Sequence, residues 1–359
     1  MKQNNKYCIV AIGGDLNVYP YLAKLNSILD SLGDVSEITW NRGEVGKEKN
    51  SFFTYKPESK IGLIFGYMLW IIKLTFLFCN NKDFDKVYFC SRLDCALPAF
   101  FANLIGKKVR YVYLDRDAYH LTYNFGLLTM LVKKIEMAVA KKSVKHFVPG
   151  QSRDFTKLDN VCVIENTPTK AFFDEAKSLS VTHHRNDKFV IYVNGWLVNT
   201  RGADTILETV KLLDPAKFKV IVAGPSECEA ISELISLEIV EYLGQLSNVQ
   251  ALSYYFISDV VLCFYDPSIE VNRKAEPNKW FDCAFTGTPF ITNKGISTFD
   301  AFKGKGPVYA IEYGISSELF NLLNELCSSR TDSKCRPYFE ALNVDYWDVK
   351  VERIIKKLN

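Results

Sequence analysis

Short apolar runs that end in glycine or an acidic turn, each followed by a helical segment, recur along this chain and restrict its fold more than any other feature. In the first half, residues 7–12, 36–40, 85–90, 109–114, 146–148 and 161–166 read as strands. Helical segments lie between them, ending near residue 32 and covering 61–79, 97–104 and 127–142. A polar stretch from Ser178 to Asp187 (SLSVTHHRND) interrupts the pattern, which then begins again. Strands are expected at 189–193, 218–224, 240–243, 260–264 and from Phe290, with helices at 204–213 and from Asn278. Strands that alternate with helices imply doubly wound, largely parallel sheets of the α/β class. At 359 residues the chain is long for one core, so two domains are expected. Their expected bounds are 1–178 and 188–335, joined by a linker at 179–187 and followed by a tail at 336–359. Ligands of open α/β sheets bind at the carboxyl ends of the strands, which predicts a cleft between the two domains.

The segment from Ala275 to Ile291, AEPNKWFDCAFTGTPFI, carries the most chemistry. Pro277 suits a first helical position, where its missing N–H would be unpaired anyway. Lys279 and Asp282 follow three residues apart and share a helix face. Gly287 can stop the helix before Thr288-Pro289-Phe290-Ile291 restarts a buried strand. A helix N-terminus with a cation and a carboxylate on one face suits a nucleoside diphosphate. The amides and Lys279 can meet phosphate, and Asp282 can accept hydrogen bonds from ribose hydroxyls. The plainer reading is an amphipathic helix with a solvated charge pair.

Charge is uneven although the net is only +3. Residues 1–178 hold 25 Lys and Arg against 18 Asp and Glu, giving +7, and residues 179–359 hold 19 against 23, giving −4. The basic half is suited to an anionic membrane surface or an acidic acceptor. The asymmetry is too mild for nucleic-acid binding, and no DNA- or RNA-reading motif is present. Ten scattered cysteines without a C-x-x-C pair argue for a reducing compartment and against a structural zinc site. The N-terminal Met1–Lys6 run has no signal-peptide character. The apolar run at 61–79 approaches membrane-spanning length, but Lys73 lies inside it. A buried or membrane-surface helix is therefore expected rather than a span.

The order of elements and several motifs resemble the retaining GT-B glycosyltransferases of family 4, over nearly the whole chain and most strongly from Val190 to Ile291. Asn194-Gly195-Trp196-Leu197-Val198-Asn199-Thr200-Arg201-Gly202 is similar to the loop that opens the family's donor domain. Arg201 stands at the lysine position that grips the donor diphosphate, and an arginine can hold phosphate bidentately. Val220–Gly224 resembles the strand and turn beneath the nucleotide, Tyr242–Ser247 the segment beside the base, and Phe256–Tyr265 the strand entering the site. AEPNKWFDCAFTGTPFI is similar to a Pro-x-Lys-x-x-Glu…Gly-x-Pro variant with Asp282 as the ribose acid. Two positions depart from the family: Lys274 replaces its first acid, with Glu276 the nearest carboxylate, and Trp196 replaces an arginine.

The resemblance implies two Rossmann-like domains facing a central cleft, with a C-terminal helix crossing back to the first domain. It implies sugar transfer from a nucleotide sugar to a glycan or lipid-linked glycan with retention of configuration, without a metal or other cofactor. Donor contacts would be Gly13, Gly14, Gly195, Arg201, Gly224, Glu276, Asn278, Lys279 and Asp282. Arg201 and Lys279 would stabilise the leaving diphosphate. His120, which follows the Asp115–Asp117 loop, would approach the reacting sugar. Arg92, Asp94, Asp115 and Asp117 would lie on the acceptor side. The basic helical stretch 125–147, with the apolar 61–79 segment, would rest the first domain on an anionic bilayer or else simply face the core. The expected setting is the cytoplasm, peripheral to the inner face of the membrane, in lipopolysaccharide or capsule synthesis. A nucleotide-sugar 2-epimerase and a non-catalytic glycan- or nucleotide-binding protein remain the alternatives.

Overall fold

The computed structural model describes residues 5–13, 16, 19–43, 51–123, 125–183, 187–226, 228–330 and 335–358. The chain forms two compact units, Met1–Ile164 with Lys350–Asn359, and Glu165–Val349.

The first unit is built on seven strands: β1 (Lys6–Ile12), β2 (Asp34–Asn41), β3 (Phe53–Thr54), β4 (Val87–Ser91), β5 (Arg110–Leu114), β6 (Lys145–Val148) and β7 (Val161–Val163). Their order is β3-β2-β1-β4-β5-β6-β7 and every pairing is parallel. β1 reads as an unbroken apolar run because both faces of a parallel sheet are covered. Cys8 and Val10 pack with Trp70, Leu74 and Phe78 of the Lys60–Cys79 helix. Tyr7, on alternate positions with Ile9, meets Phe89 edge-on at 6.1 Å. The order reverses between β1 and β4, and a crevice for ligands opens at the carboxyl ends of strands that flank such a switch.

The second unit carries β8 (Phe189–Asn194), β9 (Phe218–Ala223), β10 (Val240–Tyr242), β11 (Val260–Leu262), β12 (Phe290–Asn293) and β13 (Val308–Ile311). They form a parallel sheet in the order β10-β9-β8-β11-β12-β13. Here the switch falls between β8 and β11. Helices cover both faces, with Ile191, Val193, Val220 and Val222 in one core cluster and Val190, Tyr192 and Ile221 in the other.

Several expectations are corrected. Of the two readings of this stretch, a helix at 127–142 followed by a strand at 146–148 matches the structure and a helix running through 125–147 does not: a short turn at Gly126–Leu128 leads into a helix at Thr129–Lys142. Ser143 turns extended, Val144 donates its N–H to Tyr111 O, and the chain enters β6 with His146 and Phe147 buried. Strand pairing with β5 outweighs the helical pattern there. The units divide at Ile164, upstream of the expected 178. The reason is the Lys170–Ser180 helix, whose Phe173 packs on Phe256, Phe285 and Tyr346 within the second unit. Part of the expected linker, residues 184–186, lies outside the described residues. The expected tail also begins later than 336, because Tyr338 and Phe339 pack inside the second unit and only residues from Lys350 join the first. There Val351 and Ile355 are buried and Arg110 donates to Leu358 O at 2.5 Å. Strands β3 and β13 were not anticipated. All ten cysteines are free.

Candidate functional site

In the second unit the residues flagged by sequence gather at the carboxyl ends of β8, β9 and β11. Gly195 follows β8 with φ of 94° and donates its N–H to Ala223 O at 2.8 Å. Gly224 follows β9 with φ of 140°, a conformation L side chains rarely adopt. A Cβ added at Gly224 would stand 2.0 Å from Gly195 O. The two turns are therefore stacked backbone on backbone, and the Tyr242 hydroxyl donates to Gly224 O at 2.8 Å. Gly224→Ala is expected to cost about 2–3 kcal/mol through this clash and its φ. A lowered unfolding midpoint by calorimetry would show it.

Lys279 comes to the Gly195 turn. A Cβ on Gly195 would lie 3.1 Å from the lysine Cε and Nζ, so the ammonium rests against the β8 turn. Its helix, Asn278–Thr286, starts after Pro277, which is extended and sits just outside the helix instead of opening it. Pro277 in the N-cap position has no polar side chain to cap the first turn, and the start of a helix favours an anion. Gly287, with φ of 76°, ends the helix as expected. Glu276 and Pro277 are buried and Asn278 is exposed. Asn166 donates to Glu276 O at 2.6 Å, which ties the loop ahead of the helix.

Asp282 lies one turn further on, half-buried. Its charge helps to push up the phenols of Tyr255 and Tyr192, for which burial is the main cause. Tyr255 in turn donates to Asn194 Oδ1 at 3.2 Å, at the end of β8. Asp282 is thus placed beside the β8 end with Lys279 on the same helix. Arg201 closes a short turn, Asn199–Arg201, ahead of the Ala203–Val210 helix. Its Nη1 donates to Asn272 Oδ1 at 2.9 Å and its guanidinium lies over the Tyr265 ring at 4.1 Å. Asn272, Tyr265 and Asn194 were missed by sequence reasoning. Asn272 comes from a segment that nothing local marks, whereas Asn194 and Tyr265 lie inside segments the resemblance had singled out without a role for those side chains. Trp196, at a position of departure, is 63% exposed.

In the first unit the flagged residues also lie after strand ends, but in two separate clusters. Gly13 follows β1 and donates to Trp40 O at 3.0 Å, while Gly14 lies outside the described residues. Arg92 follows β4 with φ of 77°, Ala118 follows β5 with φ of 48°, and Phe155 follows β6 with φ of 64°. Non-glycine residues in this region are strained and gather where backbone geometry serves a site. Arg92 Nη2 donates to Asp94 Oδ2 at 2.8 Å and to Tyr123 OH at 2.5 Å, with Tyr119 beneath the guanidinium. Burial pushes the Asp94 carboxyl up, and Arg92 opposes it. A cation, a carboxylate and phenol rings on one edge suit a ligand rich in hydroxyls.

The second cluster is closed. Asp115 is buried, takes a 3.2 Å contact from His146 Nε2, and accepts the Ala118 N–H at 3.2 Å. Burial pushes its carboxyl up and the His146 bond opposes this. His120 is 2% exposed, with Nδ1 2.6 Å from Glu136 Oε2 and Nε2 3.1 Å from Asp154 Oδ2. Both ring nitrogens are committed to carboxylates, so His120 holds the loop and offers no free nitrogen to a reacting group. Asp117 is exposed beside this cluster, and its backbone carbonyl accepts the Thr122 hydroxyl.

No family model matches the chain, and no curated protein matches it in sequence. Solved structures do match along its length. Sucrose-phosphate synthase from Thermosynechococcus elongatus is similar with a TM-score of 0.72, 11% identity and 99% of both chains covered. Anabaena HepE, in a complex with UDP-glucose, is similar with a TM-score of 0.66, 12% identity and 98% of both chains covered. A UDP-N-acetylglucosamine 2-epimerase is similar with a TM-score of 0.59 and 12% identity, over 100% of this chain and 96% of the other. At such identities the likeness shows the fold, GT-B, with its two parallel α/β sheets.

Proposed function

We propose that the protein is a glycosyltransferase that moves a sugar from a nucleotide-sugar donor to a glycan or lipid-linked glycan, with retention and without a metal ion. The observation that carries this reading is Lys279 laid against the Gly195 turn, which stacks on Gly224, at a helix start whose N-cap is Pro277. A diphosphate placed there meets an ammonium and the backbone amides of the helix start. Asp282, beside the β8 end, accepts the ribose hydroxyls. Arg201, oriented by Asn272 and Tyr265, adds a second cation for the charge that develops on the leaving diphosphate. Fixed cations and amides can supply this stabilisation alone. In a retaining transfer the leaving phosphate can itself take the acceptor proton, so the reading requires no side-chain base. Acceptor contacts are assigned to Arg92 and Asp94 in the first unit. That HepE was solved with UDP-glucose supports a uridine donor as the first to test. The likeness to a 2-epimerase keeps that reaction as the second reading, in which the same donor is altered and no sugar is transferred.

The test is thermal stabilisation by UDP-, GDP-, ADP- and CMP-sugars in the presence of a chelator. A ligand at a hundredfold its dissociation constant should stabilise the folded chain by about 2.7 kcal/mol. Stabilisation by one nucleotide class supports the metal-free donor site, and product analysis with that donor separates transfer from epimerisation. No response to any nucleotide sugar would overturn the reading.

A further inference from the structure

The Lys60–Cys79 helix buries Gly66, Trp70, Leu74 and Phe78 against the first unit's sheet. On its opposite face Ile61, Ile64, Phe65, Met68, Ile72 and Phe76 are all exposed. The helix is long and apolar enough to cross a membrane, with a mean hydropathy of 2.0, yet its inner stripe belongs to a packed core. Two of the outer residues also border a cavity of about 990 Å³. Ile72 and Phe76, 60% and 73% exposed, line it with Phe52, Leu77 and the buried Tyr88. That volume is at the upper end of ligand pockets, which run from about 300 to 1,000 Å³. The cavity lies where β4 begins, so it is remote from the carboxyl ends of the strands that carry Arg92 and Gly13.

Its charge is one-sided. Lys73, Lys82 and Lys86 line it together with Asp83. Asp83 is already engaged by Lys6 at 2.9 Å. Among the described residues no salt bridge pairs Lys73, Lys82 or Lys86. The Lys73 ammonium sits over the Phe53 ring at 4.7 Å, and that of Lys86 over Tyr88 at 5.7 Å. An apolar hollow with cations at its edge is complementary to an amphiphile with an anionic head. A continuous exposed apolar helix face beside it is the arrangement that lies in a lipid surface.

We propose that this cavity holds a hydrocarbon chain of an anionic lipid, taken from a bilayer on which the outer face of the Lys60–Cys79 helix rests. Lys82 and Lys86 meet the head group, and Phe52, Ile72, Phe76 and Leu77 surround the chain. Each methylene removed from water strengthens binding by about a factor of four. The inference does not depend on the donor site and is tested apart from it.

The full chain is sedimented with vesicles of phosphatidylcholine alone and of phosphatidylcholine mixed with phosphatidylglycerol, at low and high salt. Monomeric dodecyl phosphate serves as the free-amphiphile probe. The expected result is binding to the anionic vesicles that weakens with salt. The pair Ile72→Ser with Phe76→Ser should lower it about tenfold or more. Lys82→Glu with Lys86→Glu should lower it comparably and remove the salt dependence. Leu212→Ser, an exposed site on the second unit, should change nothing. All four positions lie at the surface or at the cavity rim, and unfolding midpoints certify that each variant folds. Equal binding to neutral vesicles, or indifference to either pair, overturns the proposal. Binding of dodecyl phosphate without vesicle binding overturns it in favour of a soluble ligand. A dimer that the Ile72/Phe76 pair dissolves overturns it in favour of a second copy of the chain.

Discussion

Lys279→Ala is expected to weaken binding of the nucleoside diphosphate by about 30- to 1,000-fold while leaving the ligand-free chain as stable as before. The magnitude follows from losing one charge-assisted contact in a partly desolvated site, about 2–4 kcal/mol. Stability should be spared because the lysine is half-exposed on the outward face of its helix, and its buried neighbours Trp280, Phe281 and Cys283 carry the packing. Asp282→Ala should act in the same direction by removing the ribose acceptor. Arg201→Ala should differ, losing both affinity and some stability, because its guanidinium also holds Asn272 and covers Tyr265. Isothermal titration with the nucleotide found in the stabilisation panel, paired with melting of the free proteins, measures both quantities. Normal affinity in Lys279→Ala and Asp282→Ala together would place the nucleotide elsewhere.

Glu136→Ala should destabilise the first unit by about 3–5 kcal/mol, the largest single-residue effect outside the donor site. Glu136 is wholly buried in the Thr129–Lys142 helix and serves four donors. Tyr113 OH lies 2.7 Å from it, His120 Nδ1 2.6 Å, and the backbone amides of Tyr119 and His120 3.1 and 3.2 Å. Removing the carboxylate leaves these groups buried and unsatisfied, which costs far more than the net worth of any one bond. Glu136→Gln keeps the shape and one acceptor oxygen and should fall between the two. Urea unfolding followed on both variants checks the order. Nucleotide stabilisation should persist at temperatures where both units remain folded, because the donor residues lie in the other unit. A loss of stability below 1 kcal/mol for Glu136→Ala would show that the cluster carries little of the fold.

The histidine beside that carboxylate shows where sequence reading stopped. His120 stands after an acidic loop at a strand end, a place where reactive groups are found, and its neighbours in sequence suggest nothing else. Its partners Glu136 and Asp154 come from a helix and a loop well downstream, and only the folded chain brings them within 3.1 Å of both nitrogens. Arg201 is the converse case. Its position after the Asn194–Gly195 turn marked it for a ligand, and the fold then supplied Asn272 and Tyr265 to hold it. The helix from Asn278 to Thr286 was legible but for its start, placed one residue early at Pro277, because two charges on one face and a stopping glycine are local facts.

The parallel strands were determined by the sequence alone. A strand buried on both faces must be apolar at every position, so β1, β4, β8 and β9 stand out without any knowledge of their neighbours. So was the double winding, since parallel strands need a crossover between them. What only the tertiary structure decided was membership and company. The Lys170–Ser180 helix falls almost wholly within the expected first domain, and it joins the second unit because Phe173 finds Phe256 and Tyr346. The two-residue strand β3 has no pattern of its own and exists because Trp40 and Asn41 offer an edge to pair with. The apolar helix at 60–79 could have been core or span, and the choice was made by the stripe that meets Trp40 and the sheet. Local chemistry writes the elements, because backbone preference and burial act residue by residue. Contacts between distant segments decide the rest, because their energies exist only once the chain has closed around them.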